Sequence, residues 1–159
     1  MDPLQPMGMT RRTIDIPDEV RRRVALQGAE GEAWVESLEP LITALKREWK
    51  LIVGRTLRGG SGSIVLEATT ADGRQAVLKL PVPWLDPERR QLGVLLAAKG
   101  RGYAQLLRHH EESGALLIER LGPALSELGL GIDVQLEALC ATLLQAWTVP
   151  PDKRGLPVR

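Results

Sequence analysis

Between residues 51 and 80 the sequence places three short apolar runs, at 51–57, 63–70 and 75–80, each rich in Ile, Val, Leu and Thr. Two turn signals separate them, Gly59-Gly60-Ser61-Gly62 and Ala71-Asp72-Gly73. Runs of this length and composition favour strands, and Asp-Gly marks a hairpin because its residues tolerate the backbone of a tight turn. Three consecutive antiparallel strands follow. This order constrains the fold more than any other feature, since it commits the middle of the chain to a sheet whose members are neighbours in sequence.

The flanking segments change period. Residues 1–16, with Pro3, Pro6 and Gly8, read as a loose leader. Pro17 opens a short helix with Asp18 and Glu19 in its first turn, ending near Leu26 before Gly28. Val35, Leu38, Ile42, Leu45 and Trp49 then recur at three-four spacing, which predicts one buried helical face. Pro40 interrupts that pattern and predicts either two helices or one kinked near Leu38, so residues 17–49 form an N-terminal helical segment. Past Pro81 and Pro83, Asp86 can cap a helix that begins at Pro87 and ends at Gly100. Residues 103–108 and 115–119 supply two further strands across the polar turn at 111–114. Residues 122–150 hold a linker and a last amphipathic helix carrying Ile132, Leu136, Cys140, Leu143 and Trp147, and 151–159 is an aperiodic tail. The fold class is α+β: residues 50–121 build a five-stranded antiparallel sheet with one packed helix, between N-terminal helices and a C-terminal helix.

Composition excludes some functions. A chain of 159 residues can bury a real core, and its net charge of +1 exerts no strong pull on nucleic acid or an anionic membrane. The four Trp and one Tyr are not interleaved with basic residues as a base-stacking platform would be. The Arg11–Arg12 and Arg21–Arg22–Arg23 clusters read as solvated surface. Charge interrupts every apolar stretch, and no hydrophobic block opens the chain, so no membrane partner and a cytoplasmic location are expected. Cys140 is the single cysteine, which rules out an intramolecular disulfide; its place on an apolar stripe predicts a packed core thiol. His109 and His110 are adjacent, and neighbours on a strand point to opposite faces, so they make a poor metal pair.

The chemistry concentrates around the sheet. Glycines in the segment Gly59, Gly60, Ser61, Gly62 and Ser63 would let backbone N–H groups approach phosphate oxygens, although an ordinary hairpin loop has the same composition. No lysine follows them as a Walker loop requires, and Ile64-Val65-Leu66 continues as a strand where a dinucleotide fingerprint needs a third glycine and a helix. In the segment Ala76-Val77-Leu78-Lys79, alternation puts Val77 and Lys79 on one face and Ala76, Leu78 and Leu80 on the other. A lysine so placed after a glycine loop and an Asp-Gly turn fits a kinase-like lobe, where it holds the α- and β-phosphates while the residue two before it covers the adenine. On the following helix Glu88 and Gln91 lie one turn apart, and one of them can face Lys79. The run from Ala115 to Leu121 leaves the sheet through Glu119 and Arg120, either as a buried strand end or as a hinge whose backbone meets an adenine edge.

With these stretches in place the chain resembles the streptomycin-kinase and hydroxyurea-resistance branch of the aminoglycoside phosphotransferases. The resemblance is carried by Gly31-Glu32-Ala33-Trp34 through Trp49-Lys50-Leu51, Leu57 to Leu66, Asp72-Gly73, Ala76 to Leu80, Gly100-Arg101-Gly102 and Gly114 to Leu121. It implies a protein-kinase-like N-terminal lobe and transfer of the ATP γ-phosphate to a hydroxyl of an aminoglycoside or related small molecule. It also implies nucleotide-binding roles for Gly59 to Ser63, Val77, Lys79, Glu119 and Leu121, with Gln91 at the position of the family's helix glutamate. The family's catalytic segment is similar to His-Gly-Asp, followed by an asparagine and a metal-binding aspartate that hold Mg²⁺. This sequence has no asparagine, and neither histidine lies near an aspartate. No catalytic residue and no metal ligand is therefore assigned within it; both are expected in a C-terminal lobe, and the 159 residues alone are expected to be inactive. The alternative is a non-catalytic, self-associating module built on the same lobe.

Overall fold

The computed structural model describes residues 14–58, 62–84 and 86–150, with 86–90 as backbone only. Helix α1 (Asp18–Ala25) carries Asp18 and Glu19 in its first turn and Arg22 and Arg23 in its last, which complements the helix dipole at both ends. Gly28, at φ 55°, turns the chain into α2 (Ala29–Glu48). A Cβ on Gly31 would lie 2.2 Å from the Val24 carbonyl oxygen, so the two helices meet backbone to backbone and only glycine fits. Pro40 sits inside α2, so of the two alternatives, two helices or one, the segment forms one helix of 20 residues. Leu38, Ile42 and Leu45 are buried on either side of the proline. Keeping that stripe in one packed face outweighs the single backbone hydrogen bond that proline deletes.

The strands β1 (Ile52–Thr56), β2 (Ser63–Thr69), β3 (Gln75–Pro81), β4 (Leu106–His109) and β5 (Leu116–Glu119) form one antiparallel sheet in the order β1-β2-β3-β5-β4. This is the five-stranded α+β arrangement expected of a kinase-like N-terminal lobe. Helix α3 (Asp86–Ala98) connects β3 to β4. The fourth strand starts later than its apolar run, because Lys99, Gly100 and Gly102 all take positive φ and turn the chain before Leu106. A 3₁₀ turn at Leu125–Glu127 leads to the last helix, α4 (Ile132–Trp147).

Strand pairing separates two faces. Ile64, Leu66 and Ala68 of β2 lie opposite Leu80, Leu78 and Ala76 of β3, and Leu78 lies opposite Leu117 of β5. These side chains pack with Val20, Val24, Leu38, Ile42, Leu45 and Trp49, so α1 and α2 cover this side of the sheet. Trp34 of α2 meets Trp84 edge to face, with centroids 5.9 Å apart, and ties the helices to the connection after β3. The opposite face presents Val65, Val77, Lys79, Leu116 and Ile118, and α3 approaches it through Gln91.

Helix α4 buries none of its residues. Its stripe is as apolar as the spacing implies, yet Leu136, Leu139, Leu143, Leu144 and Trp147 are exposed. Cys140 is exposed with them, which corrects the expectation of a core thiol. Periodicity identifies the apolar side of a helix but not whether anything lies against it.

Candidate nucleotide site

The pairing Val65↔Lys79↔Leu116 sets Lys79 in the middle of the sheet, on the face away from α1 and α2. The short turn after β3 brings α3 back over that face. Lys79 Nζ donates a part-buried hydrogen bond to Gln91 Oε1 at 2.5 Å. Gln91 meets the lysine, and the side chain of Glu88 lies outside the described residues. The amide orients the ammonium group but adds no charge of its own.

Around this pair the sheet face is apolar. Val77 lies opposite Ile118, and Val65 opposite Lys79, so three β-branched side chains share the lysine's face. Sequence reasoning identified Val77 and missed Val65 and Ile118. Alternation from Ser63 points to Val65, but Ile118 follows only from the register between β3 and β5.

Two of the predicted loop residues can be placed. Ser63 opens β2 as a buried polar residue, and the Gly62 carbonyl accepts the Val82 N–H at 3.0 Å. The exit of the loop is therefore fastened to the end of the strand that carries Lys79. Gly59, Gly60 and Ser61 lie outside the described residues.

At the strand exit the Glu119 side chain leaves the lysine's face. Glu119 lies opposite Ala76, which turns its side chain to the helix-covered face. Its Oε1 accepts the Gln105 N–H at 2.7 Å, its Oε2 lies 3.6 Å from Arg74 Nη2, and its own N–H donates to the Gln105 carbonyl at 2.9 Å. The Arg120 N–H donates to the Gln75 carbonyl at 3.4 Å. Both N–H groups are thus committed inside the sheet, and Leu121 is the first residue beyond it, with its side chain exposed. The structure brings Val77, Lys79 and Gln91 together; it keeps the Glu119 side chain away from them.

One charged cluster borders the apolar patch. Glu67 lies opposite Val77 on the lysine's face. Its Oε1 accepts from Arg120 Nη1 at 3.0 Å and from Arg55 Nε at 3.2 Å. The Arg120 hydrogen bond, followed by that of Arg55, holds the Glu67 carboxyl below the ordinary glutamate range. The Asp72 carboxyl is likewise lowered, first by the Thr70 hydroxyl that caps the β2–β3 turn. Among the described residues no group of three or more His, Cys, Asp or Glu is placed to hold a metal ion.

The family model described as aminoglycoside/hydroxyurea antibiotic resistance kinase matches residues 48–159. The chain is 33% identical over 147 residues to a streptomycin 6-kinase of Streptomyces griseus, covering 90% of this chain and 48% of that protein. A streptomycin 6-kinase of Streptomyces glaucescens is 31% identical over 148 residues, with 92% and 48% covered. A hydroxyurea phosphotransferase of Kitasatospora aureofaciens is 37% identical over 110 residues, covering 68% of this chain and 32% of that protein. The chain spans about half the length of the two streptomycin kinases. A match over most of the chain, together with the five-stranded lobe and its central lysine, means that this protein belongs to the aminoglycoside/hydroxyurea antibiotic resistance kinase family.

Proposed function

We propose that these 159 residues are the nucleotide-binding N-terminal lobe of an ATP-dependent phosphotransferase whose acceptor is an alcohol group of an aminoglycoside-like small molecule. The observation that carries this reading is the Lys79–Gln91 hydrogen bond beneath a strand whose end is fastened to the glycine loop. Lys79 supplies a positioned positive charge for the α- and β-phosphates, and the loop of Gly59 to Ser63 supplies backbone N–H groups. The half-buried Val65 and Ile118, with the buried Val77, form an apolar face of the kind an adenine ring covers. With the N–H groups of Glu119 and Arg120 used within the sheet, the donor to the base edge falls to Leu121. We assign Mg²⁺ ligation, the acceptor site and the group that orients the acceptor hydroxyl to the half of the relatives outside the matched region. Without those groups the chain binds nucleotide but does not transfer phosphate, because phosphoryl transfer depends on positioning and charge stabilisation. No helix of the described residues is long and apolar enough to cross a membrane. We place the lobe in the cytoplasm, where its substrate ATP is found, and expect no nucleic-acid partner.

Equilibrium dialysis with ATP tests the reading: the chain should bind, and Lys79→Met should lose roughly tenfold or more in affinity. Phosphorylation of streptomycin by the chain unaided would overturn the assignment of catalysis to the other half. A second reading, self-association without catalysis, is favoured by one observation, the exposed apolar face of α4. A concentration-dependent dimer without ATP affinity would select it.

A further inference from the structure

We propose that Glu67 and Arg120 form a positioning clamp that fixes the segment leaving β5 against β2, so that the groups meeting the base edge are held in register with the apolar surface covering the base. The proposal rests on the nucleotide reading above and goes beyond it by assigning roles to a pair 53 residues apart in sequence. Glu67 and Arg120 lie on the same face as Val77 and Ile118, since residues opposite one another, and residues two apart on one strand, share a face. The guanidinium of Arg120 spans β3 to reach Glu67 Oε1 at 3.0 Å. The carboxylate has a prepared seat: a Cβ on Gly54 of β1 would stand 3.1 Å from Glu67 Cβ and 3.2 Å from Glu67 Oε2. Glycine at position 54 thus gives the Glu67 side chain room over the edge strand. Arg55, much the more exposed of the two arginines, closes the carboxylate from the β1 side at 3.2 Å. Two strands, β1 and β2, and the strand exit are in this way joined through one carboxylate at the border of the apolar patch. Arg120 immediately precedes Leu121, so any swing of the exit segment must first break this ion pair. Glu67 and Arg120 touch no phosphate in this scheme; they act through the segment they hold.

The test compares ATP with inorganic tripolyphosphate as ligands of the full chain and of Glu67→Gln, Arg120→Gln, the double variant and Arg55→Gln. The lysine and the glycine loop bind both ligands, whereas the strand exit meets ATP alone. Glu67→Gln and Arg120→Gln should each weaken ATP by about five- to tenfold, with the double variant no worse than either single, as expected for a coupled pair. Tripolyphosphate affinity should stay unchanged in all of them, and Arg55→Gln should leave both affinities within about twofold, as an exposed ion pair contributes little. Equal loss of ATP and tripolyphosphate affinity would reduce the pair to general structural support and overturn the proposal. Unchanged ATP affinity in the double variant would overturn it as well. A wild-type chain that bound neither ligand would overturn the nucleotide reading itself, and the clamp with it.

Discussion

An amide at position 91 holds the Lys79 ammonium by hydrogen bonding, where a carboxylate would add charge attraction. Replacing the acceptor altogether, in Gln91→Leu, should weaken ATP binding by about fivefold, the equivalent of one part-buried hydrogen bond. Gln91→Glu, which keeps an acceptor, should bind at least as tightly as the wild type; isothermal titration of both variants shows whether the hydrogen bond to Lys79 positions it for the nucleotide. Glu67 behaves differently because it is charged and paired. Its folded-state carboxyl lies below the unfolded value, so its stabilising contribution is complete above the unfolded pKa and disappears as pH falls through the lowered folded value. The advantage of wild type over Glu67→Gln in urea midpoint should therefore be constant from neutral pH down to the ordinary glutamate range near 4.5, and shrink below it. An advantage that grew on acidification would contradict the pairing.

At the level of elements, glycine decides how the helices attach. A Cβ on Gly102 would lie 2.5 Å from the Ala146 nitrogen and 2.8 Å from the Thr142 carbonyl oxygen, and the residue sits at φ 68°. Helix α4 therefore rests on the turn before β4 by backbone contact, although it buries no side chain. Gly102→Ala should displace it at a cost of about 2–3 kcal/mol, from overpacking together with a left-handed backbone. Hydrogen exchange provides the readout: amides of α4 should lose protection while those of β2 and β3 keep theirs. Uniform loss over the sheet would mean that α4 is integral to the core. Proline acts in the opposite sense in α2, where Leu38, Ile42 and Leu45 pack on one core and hold the helix through Pro40. Local preference left a break or a kink open, and burial on both sides of the proline keeps a single helix.

Across the described residues, one side of the sheet is closed by α1 and α2, while α4 presents an exposed apolar stripe. Contiguous apolar surface of this kind promotes association. The isolated chain should show concentration-dependent sedimentation, and the pair Leu139→Glu with Leu143→Glu should make it monomeric at all concentrations. A wild-type chain that sediments as a monomer at high concentration would refute this. Much of the architecture could be read without coordinates. The three middle strands, the Asp72-Gly73 turn and the facing of Val77 and Lys79 follow from period-two alternation and turn chemistry, which are local properties of the chain. Local patterns cannot determine what covers a face or which distant residues become neighbours. The burial of Leu78 and the exposure of Leu143 arise from equally apolar stretches, and they differ only because α1 and α2 fold over one and nothing among the described residues folds over the other. The same holds for charge. Glu67 and Arg55 look like ordinary surface residues in the sequence, and Arg120 and Glu119 read as a strand end or a hinge. Strand order and register bring the first three onto one carboxylate and turn Glu119 to the far face, because pairing across a sheet is long-range and a single residue of register decides which side each side chain takes.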